Sequence, residues 1–344
     1  MRRAIAALLS VQLVVPSGWG WGAEVHRLVT LLALEDLGPA TPGWLSDPAV
    51  QRRIAFQSNQ PDRWRGWKSL VLSHENDPDH YLDIERLAEF GLTLQSLPKL
   101  RREYLVLMVV SRHERQAGPY DVSRDPARTH EWPGFLPYAI AAEYGKLQAA
   151  FNQVRIIERL NDPGRSVELE QARAIAIEHA GNLAHFVADA TQPLHTTHHY
   201  NGWKGPNPAG YRWRERFHAY IDEGVATFHA IDAQMLRPQL RYEHAVDAAD
   251  PWNDILRLVE RSHAKVELLY ALERDGRLDG PEGKALIAEQ LADAASMLRA
   301  MIRAAYESSE PTEEQIARWV RYDAMRVPTT QAQSAPATLP ARAP

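Results

Sequence analysis

The 344-residue sequence has no cysteine, which excludes a disulfide scaffold and leaves stability to a packed core or to bound metals. It has no large excess of one charge. Its 39 basic and 44 acidic residues give a formal net charge of −5, which excludes a basic protein that coats nucleic acid by counterion release. Beyond the first twenty residues no apolar run reaches spanning length, so an integral membrane protein is not expected. Strand alternation, an internal repeat and an internal linker are also missing, and a single-domain, all-α multi-helix bundle is the expectation. What the chain does have is 45% hydrophobic residues, enough for a sizeable core, together with 14 histidines and ten tryptophans.

The segments divide by composition. Arg2 and Arg3, the apolar run Ala4 to Val15 and the small residues closing Pro16-Ser17-Gly18-Trp19-Gly20 read as a signal peptide over 1–20, cut after Gly20. Export to the periplasm or the extracellular space follows. Residues 21–325 read as one all-α domain, and 326–344 as a disordered Pro/Ala-rich tail. Helical periodicity predicts helices over 23–37, 47–56, 97–115, 136–160, 167–190, 211–229, 250–273 and 281–308. Long loops are expected at 60–79, 116–134 and 201–209.

The chemistry starts with histidine–acid pairs four residues apart, which share one helix face and can hold one metal between them. Three occur: His185/Asp189, His218/Asp222 and His263/Glu267. About two are expected by chance, so context has to separate them. The first sits in His185-Phe-Val-Ala-Asp189-Ala-Thr-Gln-Pro193-Leu-His195, where Pro193 ends the helix and turns His195 back towards the same pocket. The second has apolar neighbours in Phe217-His218-Ala-Tyr-Ile-Asp222. The third lies among Arg261, Ser262 and Lys265 and reads as a surface charge pair.

The stretch from His185 to His195 resembles the central motif of a superfamily containing the bacterial zinc-dependent phospholipases C and the single-strand-specific zinc nucleases of the S-one/P-one type. The resemblance implies an all-α bundle of that type with three Zn2+ in one cleft. It extends to Trp21-Gly-Ala-Glu-Val-His26, since in that family the processed N-terminal tryptophan is a ligand through its amine and carbonyl. It also extends to His80-Tyr81-Leu82-Asp83 and to His218/Asp222. By resemblance, one zinc takes Asp62, His80, His185 and Asp189; Asp77 and Asp79 are rivals to Asp62 that lie close to His80 and read as turn residues. A second takes the Trp21 terminus, His26 and Asp189 as a bridge, and the third takes His195, His218 and Asp222. The interval from His80 to His185 is longer than the family's, with 116–134 as the apparent insertion.

The expected activity is zinc-dependent phosphodiester hydrolysis. Three divalent ions against three carboxylates leave a positive site in an acidic protein, suited to a phosphodiester. Asp62 orients the attacking water or takes its proton. The resemblance to the nuclease branch further implies that the Arg65 fork steadies phosphate oxygens, that Tyr81 stacks a base and that Asp83 bonds its edge. Arg63-Trp64-Arg65 favours single-stranded nucleic acid as substrate. The alternative is a phospholipase C, to which Tyr200, Trp203 and Trp213 could contribute lipid contacts. A more distant alternative is a ferritin-like di-iron protein, suggested by Glu215/His218 and Glu260/His263. No stable protein partner is expected.

Overall fold

The computed structural model describes residues 21–116, 118–241 and 245–323. The expected signal peptide, 1–20, and the expected tail, 326–344, lie outside the described residues. The fold is all-α. Its helices are α1 (Ala23–Leu34), α2 (Pro48–Gln57), α3 (Gln60–Gly66), α4 (Leu70–Asn76), α5 (Arg101–Glu114), α6 (Leu136–Leu160) and α7 (Ser166–Asp189). After them come α8 (Phe217–Ala219), α9 (Val225–Phe228), α10 (Ala233–Leu236), α11 (Trp252–His263), α12 (Val266–Arg274), α13 (Pro281–Glu307) and α14 (Glu313–Arg318). Among the described residues no helix is long and apolar enough to cross a membrane.

The core is built where α1, α2, α6, α7 and α13 pack together. Each has an apolar stripe at helical spacing, such as Val25, Val29, Leu32 and Ala33 on α1. The starts are chemically marked. The Asp47 carboxylate caps α2 by accepting the Ala49 N–H at 2.7 Å, and prolines stand in the first turns of α2, α6 and α13. The end of α1 falls three residues before the expected Leu37, because side chains take its last carbonyls. The wholly buried Arg299 of α13 donates to Leu32 and Ala33, and Gln51 of α2 donates to Leu34.

Helix α7 carries the centre of the site, and its seat on α2 depends on Gly181. A Cβ there would lie 2.3 Å from Cβ of Gln57 and 2.9 Å from the Ile54 carbonyl oxygen. His185, one turn later, puts Nδ1 2.8 Å from the Ser58 carbonyl, so the same contact fixes its ring. Gly181→Ala is expected to destabilise by about 1–3 kcal/mol, through overpacking and loss of that bond. A thermal unfolding midpoint equal to that of the parent protein would contradict the close contact.

Three expected segments come out differently. The loop expected at 60–79 contains α3, α4 and a tight turn, Asp77–His80. Polar side chains hold it: the Ser69 hydroxyl caps α4 through the Leu72 N–H, and Asn76 donates to the Pro61 carbonyl at 3.0 Å. The helix expected over 211–229 begins only at Phe217. Before it, Arg214 is clamped to Glu273 and Asp279, and Arg216 adopts φ +57°. The helix then widens into a π turn at Tyr220–Gly224, where the Asp222 carbonyl accepts the Gly22 N–H at 2.8 Å. The helix expected over 250–273 breaks at Ala264–Lys265, where the Lys265 N–H turns back to Ser262 at 2.9 Å.

Residues 116–134 (117 apart) form an irregular but well-tied wall. Asp125 binds the Tyr120 and Thr129 hydroxyls and the His130 N–H, while Arg86 donates to the carbonyls of His130, Glu131 and Trp132. Gly134 then runs against the segment after His80. Its φ is +110°, and a Cβ would fall 2.1 Å from the Tyr81 carbonyl oxygen, so only glycine fits.

Candidate metal centre

The extended segment 80–84 joins two parts of the chain. Leu82 donates to the His195 carbonyl at 2.8 Å, and Asp83 donates to that of Pro133 at 2.6 Å. These bonds bring His80 against the end of α7, where His185 and Asp189 are fully buried on one helix face. From the other side α1 brings His26, whose ring stacks on His185 with centroids 4.2 Å apart. Pro193 opens a short turn that ends on His195, whose Nδ1 stands 2.7 Å from the His80 carbonyl.

Three groups of side chains capable of holding a metal result: His26/His185/Asp189, Asp62/His80/His185 and His195/His218/Asp222, with ligand atoms in each within 4.8 Å of one another. Two groups share His185. Asp189 joins all three, with Oδ2 at 2.9 Å from Nδ1 of His80, 3.3 Å from Nε2 of His185 and 3.7 Å from Nδ1 of His195, and Oδ1 at 3.6 Å from Nε2 of His26. The third group closes with His218 Nε2 3.4 Å from Asp222, whose other oxygen accepts from buried Gln192 at 2.6 Å. Asp62, in the first turn of α3, reaches in to 3.8 Å from His80 and 3.9 Å from His185.

The donor set fits cations. Both ring nitrogens of His26, Nε2 of His195, Oδ1 of Asp62 and Oδ1 of Asp189 are buried with no hydrogen-bond partner among the described residues. Orphaned polar atoms at this density cost stability unless an ion gathers them. Burial holds the imidazoles of His26, His80, His195 and His218 below their ordinary range, and therefore neutral and able to ligate. Burial also pushes Asp189 up, but His185 and His195 outweigh it and keep the carboxyl well below the usual range. The converse holds for His185: burial lowers it, and Asp189 and Asp62 together raise it. Backbone and amide groups orient the rings, with Ser58 on Nδ1 of His185 and Asn76 3.2 Å from Nε2 of His80.

Arg65 lies at the edge of this centre, 3.7 Å from Asp62 and 3.8 Å from Asp77. Its charge helps to lower His80, His195 and His218. Burial pushes Asp62 up to about 6, against the pull of His185 and Arg65. Trp21 is wholly buried at the start of the described chain, next to the Gly22 N–H that binds Asp222.

The residues expected to meet substrate sit beside the centre. The Tyr81 hydroxyl donates to the Thr129 carbonyl, and its ring stacks on His130 with centroids 5.5 Å apart at 21°. Asp83 is buried 3.7 Å from Arg86, and burial pushes its carboxyl up to about 7. Half-buried Trp203 is stacked on His199, 4.0 Å away, whereas Trp213 is 41% exposed. His263 does not pair with Glu267. It meets Thr196 and Glu85, and Glu267 faces Tyr211. No metal-capable group among the described residues contains Glu215, Glu260 or His263.

Sequence reading did not single out Ser58, Asn76, Gln192 or His130. The first three are ordinary polar residues whose importance comes from neighbours distant in sequence. Only His130, inside the suspected insertion, had a positional signal. No family model, curated protein or solved structure matches this chain.

Proposed function

We propose that the chain is a zinc-dependent phosphodiester hydrolase of the phospholipase C / S-one/P-one nuclease superfamily, acting on single-stranded nucleic acid. The observation that carries this reading is three metal-capable groups drawn together in one place, two of them sharing His185 and all three having a histidine within 3.7 Å of Asp189, beside Arg65. These groups would hold three Zn2+, with the amine and carbonyl of a processed Trp21 completing the His26/Asp189 group, and the ions would supply an acidified water and charge stabilisation for the leaving oxygen.

The chain's own groups do the rest. Asp62, at about 6, is mostly ionised at neutral pH and can take a proton from the attacking water. Arg65, 3.7 Å from Asp62 at the edge of the centre, offers a planar fork suited to phosphate oxygens. Asp83, at about 7, keeps part of its proton at neutral pH and can donate to a carbonyl of a base. Arg65→Ala is expected to lower kcat about 10²–10³-fold, as removal of a preorganised charge at the transition state does, with metal content unchanged. Equal loss of metal would make Arg65 a structural partner of Asp62 instead.

The direct test is hydrolysis of single-stranded DNA by zinc-loaded protein beginning at Trp21, with and without chelator. Chelator-sensitive cleavage supports the reading, and no cleavage by protein that holds zinc refutes the nuclease. One observation favours phospholipase C as the second reading. Trp67, Leu70 and Val71, on the α3–α4 segment that carries Asp62 and Arg65, are 77%, 60% and 71% exposed beside Lys68. An apolar and basic rim of this kind suits a lipid surface, and phosphatidylcholine is the substrate to try next.

A further inference from the structure

Outside the metal centre, α2 and α7 leave a groove of about 580 Å3 between them. Its walls include Arg52, Arg53, Phe56 and Gln57 of α2 and Ile175 and Glu178 of α7. Arg52 and Arg53 are exposed and have no ion pair or side-chain hydrogen bond among the described residues. Glu178 is the only carboxylate among the residues that line the groove. Phe56 is 57% exposed, and the Arg63 guanidinium lies over its ring, 4.0 Å from the centroid.

Two short links join this groove to the centre. Ser58, two residues after Phe56, offers its carbonyl to His185 Nδ1 at 2.8 Å. Arg63 directly follows Asp62 of the second metal-capable group and donates back to the Phe56 carbonyl at 3.0 Å. Burial, and then the charge of Arg27, lower the Arg63 guanidinium, so a further cation, next in sequence to His26, stands close by. Against these four arginines stand Glu24, which pairs with Arg27, and Glu178. The face is therefore positive in a chain whose net charge is −5.

We propose that the α2–α7 groove is a binding track for single-stranded nucleic acid beyond the phosphate at the metal centre, with Arg63, Arg53 and Arg52 on backbone phosphates and a base stacked on Phe56. The inference rests on the nuclease reading above and adds that the substrate is a polymer, held over several nucleotides. Cationic side chains along a groove with an exposed aromatic ring are what a sequence-tolerant single-strand site requires, because every base has a π face and every nucleotide a phosphate. The local sign matters more than the total: an acidic chain repels a polyanion except where arginines without carboxylate partners concentrate the opposite charge. The track also runs along the helix that fixes His185 through Ser58, so a strand held there is placed relative to the centre by rigid structure.

The test compares the zinc-loaded parent protein with the double variant Arg52→Gln/Arg53→Gln and with Phe56→Ala, all beginning at Trp21. Fluorescence anisotropy measures binding of a labelled phosphorothioate dT12, whose linkages resist hydrolysis, across a range of salt. The double variant is expected to bind it about tenfold more weakly. The slope of log affinity against log salt should fall by about 1.4, at about 0.7 for each lost phosphate contact to a single strand. Phe56→Ala is expected to lose about tenfold with the salt slope unchanged, the scale of one stacked base. In hydrolysis, KM for ordinary dT12 should rise in both variants, while KM for the dinucleotide TpT, too short to span centre and groove, should not. Equal dT12 affinity and salt slope in parent and double variant overturn the track, and cleavage of dT12 by that variant at the parental KM leaves the nuclease standing without it. Weaker dT12 binding by the variants, with no hydrolysis by any of the three zinc-loaded proteins, keeps the track and refutes the nuclease. Binding of phosphatidylglycerol vesicles through Arg52 and Arg53, with no binding of dT12, makes this face a lipid contact and overturns the proposal.

Discussion

Asp189→Ala is expected to reduce bound zinc from three equivalents to one and to lower phosphodiesterase activity by at least about a thousandfold. Asp189 is wholly buried and lies within 3.7 Å of His26, His80, His185 and His195, which belong to all three metal-capable groups. Its loss leaves four imidazoles facing each other with no shared carboxylate. The His195/His218/Asp222 group keeps its own acid and should retain its ion. Asp189→Asn keeps the volume and removes only the charge, so it separates an electrostatic loss from a cavity. Metal analysis after gel filtration, beside the unfolding midpoint, reads both. Retention of three ions by either variant would refute the bridging role.

Removing the metal is the second large effect. A chelator at pH 7 is expected to lower the unfolding midpoint by about 10 °C or more, because each tightly held ion adds several kcal/mol to the native state alone. In a chain without cysteine no disulfide offsets that loss. The acid limit of the effect follows from two groups. In the metal-free protein His185 is raised above its ordinary value, and Asp62 stands at about 6. Both must be deprotonated to hold a metal. Protons therefore compete with the metal as pH falls through the neutral range, and stabilisation by zinc should be fullest at pH 8 and fade towards pH 5. The imidazoles held low by burial do not compete in this range. Midpoints measured with and without chelator from pH 8 to pH 5 would show the gap closing, and a gap independent of pH would contradict the linkage.

Much of this protein could be read in the chain before any packing was considered. The bounds 136–160, 167–190 and 281–308 fall within a residue of α6, α7 and α13, because long amphipathic periods and first-turn prolines are local signals. The spacing of His185/Asp189 and His218/Asp222 places each pair by helix geometry alone. The candidate ligands Asp62, His80 and His195 also proved to meet these pairs.

Tertiary structure decided the rest. Helices α3 and α4 have short, mixed sequences that local propensity leaves as loop, and they are held by Ser69 and Asn76. The π turn at Asp222 depends on the Gly22 N–H, two hundred residues earlier in sequence. Neither the meeting of three groups around Asp189 nor the stacking of His130 on Tyr81 leaves a periodic trace. Residue type and spacing therefore determined which side chains were available for metal chemistry. Hydrogen bonds and close approaches between distant segments, such as Gly134 on Tyr81 and Gly181 on Gln57, decided that they meet in one centre and what stands at its mouth.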